Sequence, residues 1–201
     1  MVCSLYSVYM EKFNLNLWYI RQILLYGIVL VCFLAITVVV AKAEIINVDN
    51  KKIYVTQNDL HCLAENMYWE ARNQSKAAML AVSHVVINRV FDKRFPNKIC
   101  EVIKQGPTRK SWKNDSRIPI KNRCQFSWWC DGKSDIPPKV DRQLWHETKI
   151  LAQQFVFNYR WILDPTDGAT FYHAYYVKPG WAKQKKRTAR IESHIFYKWK
   201  K

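Results

Sequence analysis

The sequence predicts an α+β fold, mainly helical, with a small C-terminal β-sheet or hairpin, after an N-terminal hydrophobic segment. Three observations predict it. Apolar residues recur at helical spacing through residues 57–90 and again after residue 142, while 169–177 and 191–199 are dense in aromatic and β-branched residues. Helical and strand-like stretches do not alternate along the chain, as a parallel α/β sheet would require. Of 201 residues, 49% are hydrophobic and 14% aromatic, which excludes disorder for the bulk of the chain. Five glycines and seven prolines exclude collagen-like and low-complexity classes. Lysine and arginine number 32 against 16 acidic residues, a net charge of +16. That surplus points to an anionic partner: nucleic acid, a membrane surface or an anionic cell-wall polymer.

The first element is the run Ile23–Ala41, nineteen residues without a charge. Ala41-Lys42-Ala43 follows it and has the small-x-small pattern of a signal-peptidase site. Two readings stay open: residues 1–43 are a cleaved export signal, or residues 23–41 are an uncleaved anchor, since about 20 apolar residues cross a bilayer. Both send the remainder out of the cytoplasm, to the periplasm or the exterior, with contact to the membrane through 23–41 if the segment stays. Residues 44–56 read as a lead-in linker and 57–201 as the domain. Four cysteines remain in the exported part: Cys62, Cys100, Cys124 and Cys130. An even count in an oxidising compartment predicts two disulfides in one of three pairings. With no Cys-x-x-Cys, a metal site is not expected, and no cofactor is implied.

Thr56, with Asp59 three residues on, predicts a helix start. Leu60, Leu63, Ala64, Met67 and Ala71 define its buried stripe, and Glu70 falls about 80° from the stripe's centre, on its shoulder. Ser75 caps a second helix, apolar on most sides, that ends near Arg89-Val90 and contains His84 as a core residue. Residues 91–140, punctuated by prolines, read as a long loop region tied by cross-links. A third helix carries Leu144, Trp145, Thr148, Leu151, Ala152 and Phe155 on one face. Asp164–Gly168 is a turn. Two strands at 169–177 and 191–199 flank a basic stretch, Lys178 to Arg190, read as a solvated loop or a grip on anionic polymer. His173 and His194 sit in the two strands, either facing each other or lining a cleft.

Glu70 is the leading candidate for chemistry. Beside Tyr68 and Trp69 its carboxyl loses hydration, so its pKa should rise, and a carboxylic acid still protonated near neutrality can protonate a glycosidic oxygen. Glycoside cleavage commonly uses two carboxylates, but Glu101, Asp131, Asp135 and Asp167 have no spacing that singles one out as a partner. One acid suffices where the substrate supplies its own nucleophile. Aromatic residues are dense in the loops and strands, and sugar rings stack on such faces. From location, Gln125, Phe126, Trp129, Tyr172 and His173 are the candidate substrate-binding residues. Export disfavours nucleic acid as the partner.

Several strings in order resemble the SleB/CwlJ-type cell wall hydrolases, the spore cortex-lytic family, in the version found in Gram-negative bacteria and phages. They are Tyr68-Trp69-Glu70-Ala71-Arg72, Val85–Val90, Phe95-Pro96, Cys100–Ile103, Cys124–Gly132, Asp164-Pro165-Thr166, Gly168–His173 and His194–Tyr197. The resemblance implies a lysozyme-like domain that cuts peptidoglycan glycan strands between muramic acid and glucosamine. It further implies Glu70 as catalytic acid and lytic transglycosylation as the reaction. A hydrolytic muramidase and a non-catalytic peptidoglycan-binding module are the alternatives. In two places the chain departs from the family pattern. Asn73-Gln74 replaces Gly-Glu, and Glu192 stands where the ending Ile-Gly-x-His-x-Phe has its glycine.

Overall fold

The computed structural model describes residues 19–30, 44–48 and 51–200. Two compact units are present, 1–42 and 43–201. In the first, residues 19–30 are helical (α1). No described helix is long and apolar enough to cross a membrane. Most of the predicted apolar run, 31–41, and the Ala41-Lys42-Ala43 triplet lie outside the described residues.

The second unit opens with a hairpin, β1 (Glu44–Val48) and β2 (Lys51–Val55), in the segment expected to be a linker. Ile46 and Val55 explain the difference: both are buried in the main core, so this stretch is part of the domain. Helices α2 (Gln57–Ala71) and α3 (Lys76–Phe91) follow, then the short α4 (Ile99–Ile103). Thr56 caps α2 as its sequence predicts. Its hydroxyl accepts from the Asp59 amide at 3.1 Å, and the Asp59 carboxylate accepts from the Thr56 amide at 3.1 Å. Ser75 occupies the cap position of α3 without a side-chain cap bond; its amide is instead held by both carboxylate oxygens of Glu192, 3.2 Å each.

Two very short strands, β3 (Thr108–Lys110) and β4 (Arg117–Pro119), pair within the region read as loop. Helix α5 (Arg142–Asn158) then packs on α2 and buries Thr148, Ala152 and Phe155 from the predicted face. The C-terminal sheet has three strands in the order β5-β7-β6, with β5 at Phe171–Ala174, β6 at Lys185–Ile191 and β7 at His194–Trp199. The sequence predicted two. The strand it missed, β6, is the second half of the basic stretch. As an edge strand it tolerates lysine and arginine, which also discourage pairing with another chain.

In the turn between β6 and β7, Glu192 takes the place where a glycine was expected. Glu192 adopts the left-handed region, φ 47°. This costs about 1–2 kcal/mol for a residue with a Cβ, and the Glu192 carboxylate offsets part of it at the N-terminus of α3, where the helix dipole favours negative charge. Gln74, the other departure from the family pattern, accepts from the Ser193 amide at 3.3 Å and secures the same turn.

α2 is the centre of the second unit, packed by α3, α4 and α5, with Leu63, Met67 and Tyr68 fully enclosed. A smaller cluster of Ala81, Val85, Ala169 and Phe196 seats the sheet on α3. Of the three possible pairings, the disulfides are Cys62–Cys100, joining α2 to α4, and Cys124–Cys130. Gly106 lets the second approach the backbone: a Cβ there would meet Cys124 Sγ at 2.9 Å.

Loop-closure entropy ranks the two bonds. Cys62–Cys100 spans 38 residues and Cys124–Cys130 spans six. Replacing the first pair by alanine should cost about 4 kcal/mol and the second about 2 kcal/mol, if the denatured chain gains only the released loop freedom. Urea denaturation of the two double variants measures both. A larger loss from the short loop would show that packing, not chain entropy, dominates there.

Candidate active site

Glu70 sits in the last turn of α2, half-buried on the shoulder of the helix's packed face, as its angular position predicts. Strand β5 runs opposite and brings Tyr172, whose hydroxyl donates to Glu70 Oε2 at 2.9 Å. Tyr172 is held in turn by its neighbours. Its ring lies 6.3 Å from Phe126 and 5.7 Å from Phe196, and the buried His194 ring meets it edge-on at 5.0 Å.

A third group belongs to this site. Arg89, near the end of α3, is 4% exposed and donates from Nε to the Thr170 carbonyl at 2.8 Å. Its guanidinium carbon lies 5.1 Å from the centre of the Phe126 ring, 5.2 Å from Phe95 and 5.9 Å from Phe171. The neighbouring Asn88 donates to Asp164 Oδ2 at 2.9 Å and to the Ala169 carbonyl at 3.0 Å. Consecutive residues of α3 thus fix the segment 164–170 that leads into β5 and aims Tyr172. Asp164 organises that segment by also accepting from the Thr166 hydroxyl at 2.6 Å and the Gly168 amide at 2.9 Å. Burial opposes its ionisation, but the bonds from Thr166 and Asn88 outweigh this and hold its pKa below the ordinary carboxylate range.

The electrostatics follow from burial. Removal from water pushes Glu70 up from 4.5 to about 7, against the smaller opposing pulls of the Tyr172 hydrogen bond and the Arg89 charge. Its place at the C-terminal end of α2 works in the same direction as burial, because that end of the helix dipole disfavours a negative charge. Burial together with the Glu70 charge keeps the Tyr172 hydroxyl well above its usual range, so it remains a donor. Arg89 is lowered by burial to about 10, so it is still a cation at neutral pH. The site is a carboxyl group divided between its two protonation states near neutrality, with one hydroxyl donor and one buried positive charge beside it.

The structure brings Tyr172 to Glu70; Phe126 packs behind Tyr172 and Arg89 in the core, 1% exposed, and the remaining candidates lie elsewhere. Gln125 is exposed, next to Phe126. Trp129 is half-buried with the Lys104 ammonium 4.4 Å from its ring centre. His173 follows Tyr172 on the strand and therefore lies on the other face of the sheet. There its ring stacks on Tyr197 at 5.2 Å, and Nε2 shares a hydrogen bond with the Tyr197 hydroxyl at 3.0 Å. In the register of β5 and β7, His173 pairs with Ile195 and His194 with Ala174, so the two histidines do not face each other across the sheet. His84 is a core residue as read, 4.9 Å edge-on to Phe155.

Among the described residues, no other carboxylate contributes to the electrostatic surroundings of Glu70. Glu101 pairs with Lys98 at 3.0 Å, Asp131 with Lys133 at 3.9 Å and Asp167 with Lys198 at 2.6 Å, while Asp135 offers its backbone carbonyl to the Trp69 indole at 3.2 Å. The residue that sequence reasoning missed is Arg89. Its signal was an arginine inside a helix apolar on most sides, where a charge needs a reason to be buried. A cavity of about 850 Å³ lies between β2 and the α3–α4 connection, lined by Tyr54, Lys93 and Phe95 among others; Glu70 does not line it.

Comparison with known proteins gives one family. The cell wall hydrolase family (Hydrolase_2) matches residues 73–197, beginning just after Glu70. The chain is similar to the crystal structure of the catalytic domain of the Bacillus cereus SleB protein, at 26% identity and TM-score 0.51, over 71% of this chain and 91% of that one. It has the fold of the catalytic domain of the germination-specific lytic transglycosylase SleB from Bacillus anthracis, at 24% identity and TM-score 0.50, over 71% of this chain and 96% of that one. No curated protein matches.

The raised pKa of Glu70 has a stability consequence with a definite sign. Unfolded, the carboxyl ionises near 4.5; folded, near 7. As pH rises between these values the unfolded chain loses its proton first, so the fold is progressively penalised, by on the order of 3 kcal/mol once pH exceeds both. Glu70→Gln keeps an acceptor for Tyr172 and cannot ionise. Urea unfolding at pH 4 and pH 8 should show the variant close to the parent at the lower pH and more stable at the higher. Parallel pH dependence in both proteins would contradict the burial of this carboxyl.

Proposed function

The chain belongs to the cell wall hydrolase family, and on that premise we propose that it is a lytic transglycosylase with Glu70 as its one catalytic acid. The bond cut is that between N-acetylmuramic acid and N-acetylglucosamine in peptidoglycan strands. The observation that carries this reading is a carboxyl shifted to about 7 and aligned by Tyr172, with no second carboxylate in its surroundings among the described residues. Hydrolysis by inversion or retention uses two carboxylates, one of them to activate water or form the covalent intermediate. An acid alone is sufficient when the muramic 6-hydroxyl is the nucleophile. The reaction named for the Bacillus anthracis relative supports the same choice.

In the first step the Glu70 carboxyl gives its proton to the bridging oxygen. The bond from that oxygen to the anomeric carbon breaks, and its electron pair leaves with the glucosamine. Glu70, now a carboxylate, takes the proton of the muramic 6-hydroxyl as that oxygen bonds to the anomeric carbon, which closes an anhydro ring and restores the acid. Tyr172 donates to the carboxylate in the interval. Tyr172 supplies aromatic surface beside the acid, with Gln125 and Trp129 on a neighbouring loop; Phe126, 1% exposed, backs the Tyr172 ring from within the core, and His173 supports the sheet from its opposite side.

The two disulfides fit an exported protein acting in the periplasm or outside the cell. The lysine and arginine surplus holds the domain on an anionic envelope, and residues 23–41 would tether it to the membrane if retained.

Purified sacculi test the reading. The parent should release muropeptides ending in anhydro-muramic acid, and Glu70→Gln should lose about 10²–10⁴-fold in rate while still binding. Reducing ends in place of anhydro ends would make water the nucleophile, and full activity in Glu70→Gln would remove the mechanism. Activity that requires protonated Glu70 should fall as pH rises through about 7. Turbidity clearing between pH 5 and 9 measures this, and an activity that keeps climbing above pH 8 would assign the acid elsewhere.

A further inference from the structure

Arg89 is an anomaly if it is only structural. It is 4% exposed, and its Nη1 is buried without a hydrogen-bond partner. A buried charge with an unsatisfied donor costs stability, and hydrophobic side chains of similar volume often replace such groups without loss. The surroundings are those of a hydrophobic position: three phenylalanine rings enclose the guanidinium. The bond from Nε to the Thr170 carbonyl fixes its place, two residues before the tyrosine that touches the catalytic acid.

We infer that Arg89 is a positioning residue for the proposed reaction: a fixed, water-excluded cation that stabilises the carboxylate Glu70 becomes after donating its proton. The inference rests on the proposed role of Glu70 and extends it. An acid that must become a base needs both of its states within reach. Aromatic burial stabilises the protonated state, and a cation held in low dielectric stabilises the ionised one. Because the rings that exclude water also hold Arg89 in place, its charge does not have to reorganise when the proton leaves. The other titratable group facing Glu70 is Tyr172 of β5, and His194 of β7 touches the Tyr172 ring; neither carries a positive charge at neutral pH, since burial lowers His194.

The test is a titration of the Glu70 carboxyl in the full chain by carbon-13 NMR of glutamate-labelled protein, the signal being assigned by its loss in Glu70→Gln. Arg89→Met should move the midpoint upward by about one pH unit, and Arg89→Lys should recover part of the shift. On sacculi, Arg89→Met should lower kcat about tenfold with KM unchanged, since the side chain does not touch substrate. A merely structural arginine would lower the unfolding free energy and leave the midpoint where it was. An unmoved midpoint in folded Arg89→Met overturns the inference. Should that variant not fold, Arg89→Gln decides alone: it is uncharged yet can still donate to the Thr170 carbonyl, and it must raise the midpoint. The titration needs no substrate, so the two readings fail separately. A shifted midpoint in a protein that cleaves no peptidoglycan removes the proposed function, and cleavage with an unshifted midpoint removes only the role of Arg89.

Discussion

A carboxyl group is held partly out of water without being forced to stay neutral, and the architecture around Glu70 answers that constraint. Leaving the carboxyl in solvent would give an ordinary glutamate, ionised at neutral pH. Burying it among apolar groups alone would give a carboxyl that stays protonated well above neutrality. The helix α2 supplies burial, β5 supplies one hydroxyl, and α3 supplies one cation. Each comes from a different element, so the state of the acid depends on the packing of all three.

Much of the remaining structure serves that packing. Asn88 and Arg89 anchor the segment 164–170 from α3, Asp164 gathers its amides and hydroxyls, and the result is a β5 whose second residue points at α2. The Glu192 turn contributes from the other end of the sheet. There a residue in an unfavourable backbone region is tolerated because its carboxylate lies at the start of α3. The same helix therefore receives the sheet at both of its ends.

What the sequence revealed and what it hid have physical reasons. The cap at Thr56 and the shoulder position of Glu70 are local properties, set by residues within one or two turns, and both were legible. So was the pairing of burial with an acidic side chain, which needs only neighbours along the helix. The third strand was hidden because Lys185–Arg190 carry charges that suit an edge strand and a loop equally well. The lead-in was taken for a linker because the burial of Ile46 and Val55 arises only on contact with distant elements. His173 and Tyr172 were grouped as neighbours, although the alternation of a strand sends them to opposite faces. Disulfide pairing and the place of Arg89 are long-range facts, and no spacing rule carries them.

The Cys62–Cys100 bond ties α2 to α4 about two helical turns before the acid. In a compartment that keeps thiols reduced, that tie is open and the helix bearing Glu70 is at its least constrained. Oxidation after export completes the scaffold where the polymer lies. A wall-degrading protein built this way is weakest inside the cell that makes it and gains its full rigidity only on the far side of the barrier that cell depends on.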